Sequence, residues 1–579
     1  MKLHIEFLTL VIAITVVNAN DWWMNGNFYQ IYPRSFRDSD GDGIGDLNGV
    51  TEKLPYLKEV GFTAAWLSPI FKSPMADFGY DISDFYQVHP EYGTMQDFEN
   101  MIKKAKEIGM KIILDFVPNH TSDENEWFKK SVDGDPKYKD YYIWHNGVVD
   151  PTTGERKPPS NWLSAFRYSA WEWNDVRQQY YLHQFAIKQP DLNYRNPAVV
   201  EEMKNVMRFW LAKGISGFRI DACPFLFEVD LDRNGLYADE PPVTSGCPDP
   251  DDYCHLQHIY TNNLPETMDM IYQWRELTES FKKENGSDTK ILLTEAYTDF
   301  DIMIKYYGDG KRKGSYVPFN FDFMGNVNKD SKAVDVVQNV NKWLNAMPKG
   351  KDFYPNWVLG NHDSKRVASR FGVEKADLVN IMLQTLPGNA VTYNGEELAM
   401  TDVFIKWEDT VDPQACNANP TNFNSYSRDP ARTPFQWDAS PNAGFTEGTE
   451  TWLPVSEDYK VKNVMMQERA PHSHLQIFKK LVRLRKEPSM QDISNLQIKA
   501  VPDNIVIYSR YTPGSSRYVI ILNLGSTTQT ININDHFPVG QKVEIITASI
   551  SSDYSDGEVV DAARFSAKGN VGTVVVAVQ

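Results

Sequence analysis

The feature that constrains this chain most is an alternation of short apolar runs and helical patterns between about residues 27 and 400. Because strands that are separated by helices pair in parallel, eight such units predict a (β/α)8 TIM barrel of the α/β class. The predicted strands cover residues 28–32, 64–69, 111–117, 217–222, 290–294, 316–321, 357–360 and 390–393.

Two departures from this repeat predict further regions. The connection after the third strand is long and rich in Trp, Tyr, Pro and charge, which is typical of an inserted subdomain with its own structure. After about residue 488 the helical period disappears and strand-like runs follow, which predicts an antiparallel β-sandwich. The predicted regions are a signal peptide at 1–19, the barrel at 20–118 and 191–487, the inserted subdomain at 119–190 and the C-terminal domain at 488–579.

The N-terminal segment has the pattern of a secretion signal. Lys2 precedes an apolar run at residues 7–17, and the small residue Ala19 suits cleavage. An N-terminal membrane anchor would need a longer apolar run, and no other stretch reaches membrane-spanning length. We therefore expect the protein to be secreted rather than anchored.

The composition limits the kinds of molecule that the protein is expected to bind. The formal net charge is −18, and such an acidic surface repels nucleic acid and anionic lipid. Aromatic residues make up 13% of the chain, and aromatic rings can stack on sugars, although packing in the core is their commoner role. These features favour a small neutral substrate.

Charged and polar residues follow directly on several predicted strands. In barrel enzymes this end of the strands carries the functional residues. A single Asp after a strand usually caps the next helix, but a set of acids, histidines and an arginine at the same strand ends is harder to explain by capping. The set is His120, Arg219, Asp221, Glu295, His362 and Asp363.

The acids in this set match the needs of glycoside cleavage. That reaction uses one acid to protonate the leaving oxygen and one carboxylate on the opposite face of the sugar. Arg219 and Asp221 point to the same side, because side chains alternate along a strand. The charge of Arg219 is expected to keep Asp221 ionised, as a nucleophile must be.

Five short motifs occur in order along the chain: DFVPNH at 115–120, QPDLN at 189–193, GFRIDA at 217–222, TEA at 294–296 and NHD at 361–363. Each motif alone is a weak signal, but all five in order on the predicted strands are specific. On these motifs the chain resembles the α-amylase superfamily of retaining glycosidases (glycoside hydrolase family 13), and within it the insect maltases and their oligo-1,6-glucosidase relatives.

The resemblance implies separate roles for the three acids. Asp221 is implied to be the nucleophile, Glu295 the acid/base, and Asp363 the third acid, which holds the sugar hydroxyls. For Phe185 and Arg428, a core aromatic and a surface ion pair remain alternative interpretations. The implied glucose-binding residues are Asp77, Tyr80, His120, Phe185, Arg219, His362 and Arg428.

Two positions bear on specificity through the same resemblance. Asp77 is implied to grip the non-reducing end of the substrate, which would make the enzyme exo-acting. In the resembling family, a small residue such as Ala222 after the nucleophile goes with α-1,4 cleavage, whereas Val goes with α-1,6 cleavage. We therefore expect maltose, sucrose and short malto-oligosaccharides to be substrates, in preference to isomaltose.

The loop at 38–46 places acids at alternate positions, as the opening of an EF-hand does. Gly49 stands where an EF-hand has its final Glu, and no flanking helix is predicted, so a solvated acidic turn is the simpler alternative. The resembling oligo-1,6-glucosidases bind calcium in such a loop, which implies a structural Ca²⁺. The implied ligands are Asp38, Asp40, Asp42, the carbonyl of Ile44, and Asp46.

Two further features fit secretion. Cys247 and Cys254 flank a short polar loop, which is a natural place for a disulfide, whereas Cys223 ends an apolar strand and is predicted to be a buried free thiol. Asn285 begins a glycosylation sequon. Asn119 begins another, but its place in a predicted active-site motif indicates that it is buried.

Two competing functions share this fold. The resembling superfamily includes non-catalytic transporter subunits and insect surface receptors, but the transporter subunits lose catalytic acids that this chain retains. A transglycosylase such as a sucrose isomerase would carry the same residues and differ only in how it excludes water from the leaving-group side. The sequence does not separate that alternative from hydrolysis.

Overall fold

Eight parallel strands form the centre of the structure, a computed structural model that describes residues 21–578. Their hydrogen-bonded order is β6-β5-β4-β3-β2-β1-β8-β7, as a (β/α)8 barrel requires. The predicted signal peptide lies outside the described residues. The strands are β1 (Asn27–Ile31), β2 (Ala64–Leu67), β3 (Lys111–Phe116), β4 (Gly217–Ile220), β5 (Ile291–Thr294), β6 (Val317–Pro318), β7 (Asn356–Val358) and β8 (Asn389–Tyr393).

A side chain joins the two edges of the sheet, β6 and β7, so that the barrel is nearly closed. The Nδ2 of Asn356 donates to the carbonyl oxygen of Pro318 at 2.6 Å, and its Oδ1 accepts from the backbone nitrogen of Asn320 at 2.9 Å. Strand β6 is much shorter than the predicted run at 316–321. The reason is that a helix begins at Phe321, and the Asn320 side chain caps it by accepting from the nitrogen of Phe323.

Helices surround the strands, and several begin where the sequence provides a cap. Thr94 and Asp97 form a reciprocal capping box at the start of α2, and Pro197 occupies the first turn of α4. The helices are α1 (Leu47–Val60), α2 (Met95–Glu107), α3 (Glu126–Val132), α4 (Pro197–Ala212), α5 (Pro265–Asn285), α6 (Phe300–Met303), α7 (Phe321–Asn326), α8 (Ala333–Ala346), α9 (Val367–Phe371), α10 (Ala376–Thr385), α11 (Pro413–Cys416), α12 (Val464–Arg469), α13 (His474–Leu484) and α14 (Pro488–Gln491).

The long connection between β3 and α4 carries its own structure, as predicted. It contains helix α3 and a small core in which Trp162 and Trp171 stack. An isolated bridge between His120 and Asp191 closes its base. Its strands are the three-stranded sheet of Trp144–His145, Gln179–Leu182 and Trp171–Asn174, and the pair Val148–Val149 and Arg156–Lys157; Phe71–Lys72 and Asp84–Val88 pair in the earlier loop after β2.

The C-terminal region is antiparallel, as predicted. A six-stranded sheet has the order β9-β10-β11-β16-β13-β14, and β12 pairs with β15 in a second, smaller sheet. The sequence did not indicate β9, because this edge strand is only partly buried and carries no strong apolar run. The strands are β9 (Leu496–Val501), β10 (Ile505–Arg510), β11 (Tyr518–Asn523), β12 (Gln529–Ile531), β13 (Lys542–Ala548), β14 (Val559–Asp561), β15 (Phe565–Ala567) and β16 (Gly572–Ala577).

The cysteines and the sequons lie as the sequence indicates. A disulfide joins Cys247 to Cys254, and Cys223 is a buried free thiol. Asn285 is exposed at the end of α5, whereas Asn119 is buried. Across residues 21–578, no helix combines the length and the apolar character needed to cross a membrane.

Candidate active site

A pocket of about 400 Å³ opens where the barrel strands end. It contains nine of the ten residues predicted to act on or bind glucose, and the tenth, Arg219, lies buried beside it. The structure therefore brings the whole predicted set together. The nine are Asp77, Tyr80, His120, Phe185, Asp221, Glu295, His362, Asp363 and Arg428.

Arg219 organises the acids at the base of this pocket. Its guanidinium lies 2.9 Å from Asp115, 2.5 Å from Asp221 and 2.9 Å from Glu295. Asp115 lies in β3, and Asp221 and Glu295 directly follow the adjacent strands β4 and β5. The parallel register of β3 and β4 places Arg219 opposite Asp115. The side chain of Arg219 is 1% exposed, so the ion contacts form in a medium that screens charge poorly.

The protonation of this cluster differs from the simple expectation that Arg219 keeps Asp221 ionised. Burial raises the pKa of Asp221 well above its usual value, the charge of Glu295 raises it further, and Arg219 only partly opposes them. Arg219 cannot neutralise Asp221 alone, because it shares its charge with Asp115 and Glu295. The environment of Asp221 therefore favours its protonated form more than water does.

Asp363 lies in the opposite electrostatic environment. Burial alone would raise the pKa of its carboxyl group, but cationic neighbours hold this pKa below its usual range. An imidazolium at His362 would contribute, but burial lowers the pKa of His362 well below its usual value, so that this ring is neutral. The lowered pKa of Asp363 is therefore due to Arg432, which lies 3.0 Å from its carboxylate, and Arg428, which lies 3.4 Å from it.

Neutral His362 stands in a directed chain of hydrogen bonds. Gln30 donates through Nε2 to Nδ1 of His362 at 2.8 Å, so the ring proton is on Nε2, 2.6 Å from the Tyr80 hydroxyl. Tyr80 in turn donates to Asp115 at 3.1 Å, and its ring stacks on His362. This chain fixes the tautomer and orientation of His362 at the pocket wall.

A second charged cluster closes one end of the pocket. Arg428 lies 2.8 Å from Asp77 and 2.6 Å from Asp412, and Gln189 donates to Asp77 at 3.1 Å. Gln189 also contacts His120 at 3.1 Å, and burial lowers the pKa of His120 to about 3, which keeps it neutral. Arg428 is therefore a buried pocket residue and not part of a surface ion pair.

Phe185 also belongs to the pocket rather than to the core alone. Its ring lines the pocket and packs against His120, Phe166 and Phe225, with ring centroids 4.9 to 5.7 Å apart. An apolar face opposite charged groups is the arrangement that sugar rings use in protein sites.

Several pocket residues were not identified from the sequence. Tyr297 could have been identified from the sequence, because it follows Glu295 by two positions. Its ring stacks on Phe321, and its hydroxyl accepts a hydrogen bond from Asn361 at 2.8 Å. The others lie in loops where no local pattern marks them. They include Phe166 and Tyr253, which line the pocket, and Asp412 and Arg432, which contact the pocket residues Arg428 and Asp363.

The acidic loop at 38–46 brings three of its five predicted calcium ligands together. Carboxylate oxygens of Asp38, Asp40 and Asp42 lie within 4.8 Å of one another. Asp46 instead caps α1 by accepting from the nitrogen of Gly49, and it also accepts from the nitrogen of Ser39. A helix does begin directly after the loop, contrary to the prediction, because Asp46 provides this cap.

Comparison with known proteins agrees with the fold and the pocket. The family model described as "Alpha amylase, catalytic domain" matches residues 30–492, and the chain belongs to this family. Maltase A1 of Drosophila melanogaster is 66% identical over 98% of both chains. The salivary alpha-glucosidase of Anopheles gambiae is 52% identical over 96% of this chain and 93% of its own.

A solved structure agrees with the comparison of sequences. The alpha-glucosyl transfer enzyme XgtA shares 31% identity with this chain, at a TM-score of 0.81 over 97% of this chain and 100% of its own. Within the α-amylase family, the chain groups with the insect maltases and α-glucosidases at the highest of these identities.

The raised pKa of Asp221 predicts a specific pH dependence. The charge of Glu295 raises the pKa of Asp221, so Glu295→Gln should lower that pKa and move the acid limb of kcat/KM by about one unit to lower pH. α-Glucosyl fluoride is the suitable substrate, because its leaving group needs no proton. Glu276→Gln, at an exposed position on α5, is the matched control. An acid limb that stays in place or moves to higher pH would contradict the claim that Glu295 raises the pKa of Asp221.

Proposed function

We propose that this protein is a secreted, retaining, exo-acting α-glucosidase that serves carbohydrate digestion. Its proposed substrates are maltose, sucrose and short malto-oligosaccharides, from which it removes the terminal non-reducing glucose. The observation that carries this proposal is the pocket of about 400 Å³, whose lining includes Asp221, Glu295 and Asp363 together with the ion pair of Asp77 and Arg428. We propose that this ion pair blocks one end of the pocket. A closed pocket accepts the end of a chain, whereas an open cleft accepts its middle.

The proposed mechanism has two steps. Asp221 attacks C1 of the glucose while Glu295 transfers a proton to the departing glycosidic oxygen, which gives a β-glucosyl ester on Asp221. Glu295 then takes a proton from water, the water attacks C1, and α-glucose leaves. This mechanism requires that Asp221 is ionised and that Glu295 carries the proton when the substrate is bound.

The surrounding groups suit a neutral sugar. His120 and His362 are uncharged and can exchange hydrogen bonds with hydroxyl groups. Asp363, held ionised by Arg428 and Arg432, can accept hydrogen bonds from sugar hydroxyls as positive charge develops at C1. Phe185 offers an apolar surface to the ring.

The proposed nucleophile can be tested directly. Asp221→Asn should reduce hydrolysis of p-nitrophenyl α-glucoside by roughly 1,000-fold or more, because an amide cannot form the ester intermediate. Asp301→Asn, an exposed change near the same end of the barrel, should leave the rate unchanged. Circular dichroism checks that both variants fold. Undiminished activity of a folded Asp221→Asn protein would refute the assignment.

Glucosyl transfer is a second candidate, favoured by the structural match to XgtA. Tyr297 supports it further, since this aromatic at the pocket lining is 49% exposed and could hold an acceptor sugar. Hydrolysis and transfer use the same acids and differ in what attacks the ester.

Product analysis on maltose, isomaltose and sucrose separates these candidates. We expect glucose as the main product from maltose and sucrose, and slower cleavage of isomaltose, because Ala222 lines the pocket beside the nucleophile. Chromatography of products against time gives both the linkage preference and the transfer fraction. Isomerised sucrose as the dominant product would favour a transglycosylase.

We also propose secretion and modification of the chain. The mosquito relatives are named as salivary enzymes, which supports secretion. The exposed Asn285 is available to a glycosyltransferase at the end of α5. The disulfide between Cys247 and Cys254 fits an oxidising compartment.

A structural Ca²⁺ is proposed for the acidic loop. Hard oxygen ligands suit this ion, and Asp38, Asp40 and Asp42 converge in the loop. The site lies in the loop after β1, and its proposed contribution is to hold that loop beside α1.

Removal of calcium should lower the melting temperature by several degrees, because the bound ion stabilises only the folded state. Differential scanning calorimetry with and without EGTA measures this shift. The double variant Asp40→Asn and Asp42→Asn should melt at the lower temperature in both conditions. Equal melting temperatures of the unaltered protein with and without the chelator would exclude the site.

A further inference from the structure

A tight turn at residues 163–169 carries part of the pocket wall. Leu163 and Ser169 form an antiparallel bridge, and the tip between them places Phe166 in the pocket. The chain reverses through Arg167 and Tyr168, whose φ angles of 76° and 63° lie in the left-handed region. Two successive residues other than glycine in this region indicate that outside contacts hold the turn in place.

The side chain of Arg167 supplies these contacts. Its guanidinium lies 2.7 Å from Asp249 and 3.6 Å from Asp252, and it donates to the Tyr426 hydroxyl at 3.1 Å. Tyr426 in turn donates to Asp252 at 2.7 Å. The side chains of Arg167 and Asp252 are only 10% and 16% exposed, whereas Asp249 approaches from the surface and is 42% exposed.

Each partner of Arg167 belongs to a segment that reaches the pocket. Asp249 and Asp252 lie inside the loop closed by the disulfide, which also carries the pocket residue Tyr253. Tyr426 precedes Arg428 by two residues. The guanidinium of Arg428 in turn lies 5.0 Å from the centre of the Phe166 ring, so the three segments meet at the pocket.

We propose that Arg167 is a positioning residue for substrate binding, which ties the turn, the disulfide loop and the segment before Arg428 into one wall. This inference rests on the proposed glucosidase function. Arg167 does not line the pocket itself and makes no ion pair with Asp221, Glu295 or Asp363. Its loss therefore leaves the reacting groups in place and disturbs the surface against which the sugar binds.

The kinetic signature of this role is a change in KM with little change in kcat. For Arg167→Gln we expect KM for maltose to rise about tenfold, because the wall of the pocket loses its fixed position. We expect kcat to stay within about threefold of the unaltered enzyme, because the groups that react are unchanged. Arg167→Lys keeps the positive charge but loses the planar guanidinium with its several hydrogen-bond donors, and should give an intermediate KM.

Arg275→Gln is the matched control. Arg275 is equally buried, pairs with Glu279 at 2.9 Å and lies over the ring of Tyr316, but it does not line the pocket. If buried arginines act only through general stability, both glutamine variants should change melting temperature and neither should change KM. An unchanged KM for Arg167→Gln would overturn the proposal.

A double-mutant cycle tests whether Arg167 acts through its ion pair with Asp249 in the disulfide loop. Asp249→Asn alone should raise KM, and combining it with Arg167→Gln should add little, because both changes break one contact. Fully additive effects on log KM would show that the two residues act independently and would refute the role of this ion pair. If Arg167→Gln does not fold, Asp249→Asn and Tyr426→Phe test the same network without removing the arginine. Absence of α-glucosidase activity in the unaltered enzyme would instead refute the proposed function.

Discussion

The buried guanidinium of Arg219 is the interaction on which the active site depends. Three carboxylates would be very costly to bury together, and one shared cation with good geometry makes their convergence possible. The contacts reach Asp115, Asp221 and Glu295 on neighbouring strands, so the register of the barrel and the charge balance of the site are linked. A slip of one residue in β4 would turn Arg219 away from its partners.

A second group of charged residues makes the electrostatic environment of Asp363 different from that of Asp221. Arg428 and Arg432 lie beside Asp363 and keep it ionised. Asp221 and Glu295 share the single cation Arg219, and burial raises the pKa of Asp221 well above its usual value. Carboxylates in one cavity can thus hold different protonation states at the same pH, which retaining glycosidases need for attack and for proton transfer. The same arginine, Arg428, also closes the pocket through Asp77.

The sequence predicts the barrel and its acids because both follow from local pattern: apolar runs form the strands, and the residues after them meet at one end. It does not predict that Arg219 also forms ion pairs with Asp115 and Glu295, because these ion pairs depend on contacts between neighbouring strands. Tyr253 in the pocket lining and Asp412 beside Arg428 were missed for a related reason, because their positions depend on distant loops. Strand β6 was predicted too long, because apolar residues continue into helix α7.

The proposed reaction requires that Asp221, held by Arg219, forms a covalent ester with glucose. The most direct measurement uses 5-fluoro-α-glucosyl fluoride, which reacts at C1 but whose ester hydrolyses slowly, followed by proteolysis and mass spectrometry of the labelled peptide. The account predicts a single fluoroglucosyl group on Asp221, released with the α configuration. A label on Glu295 or Asp363, or turnover that releases the β anomer without any labelled peptide, would contradict it.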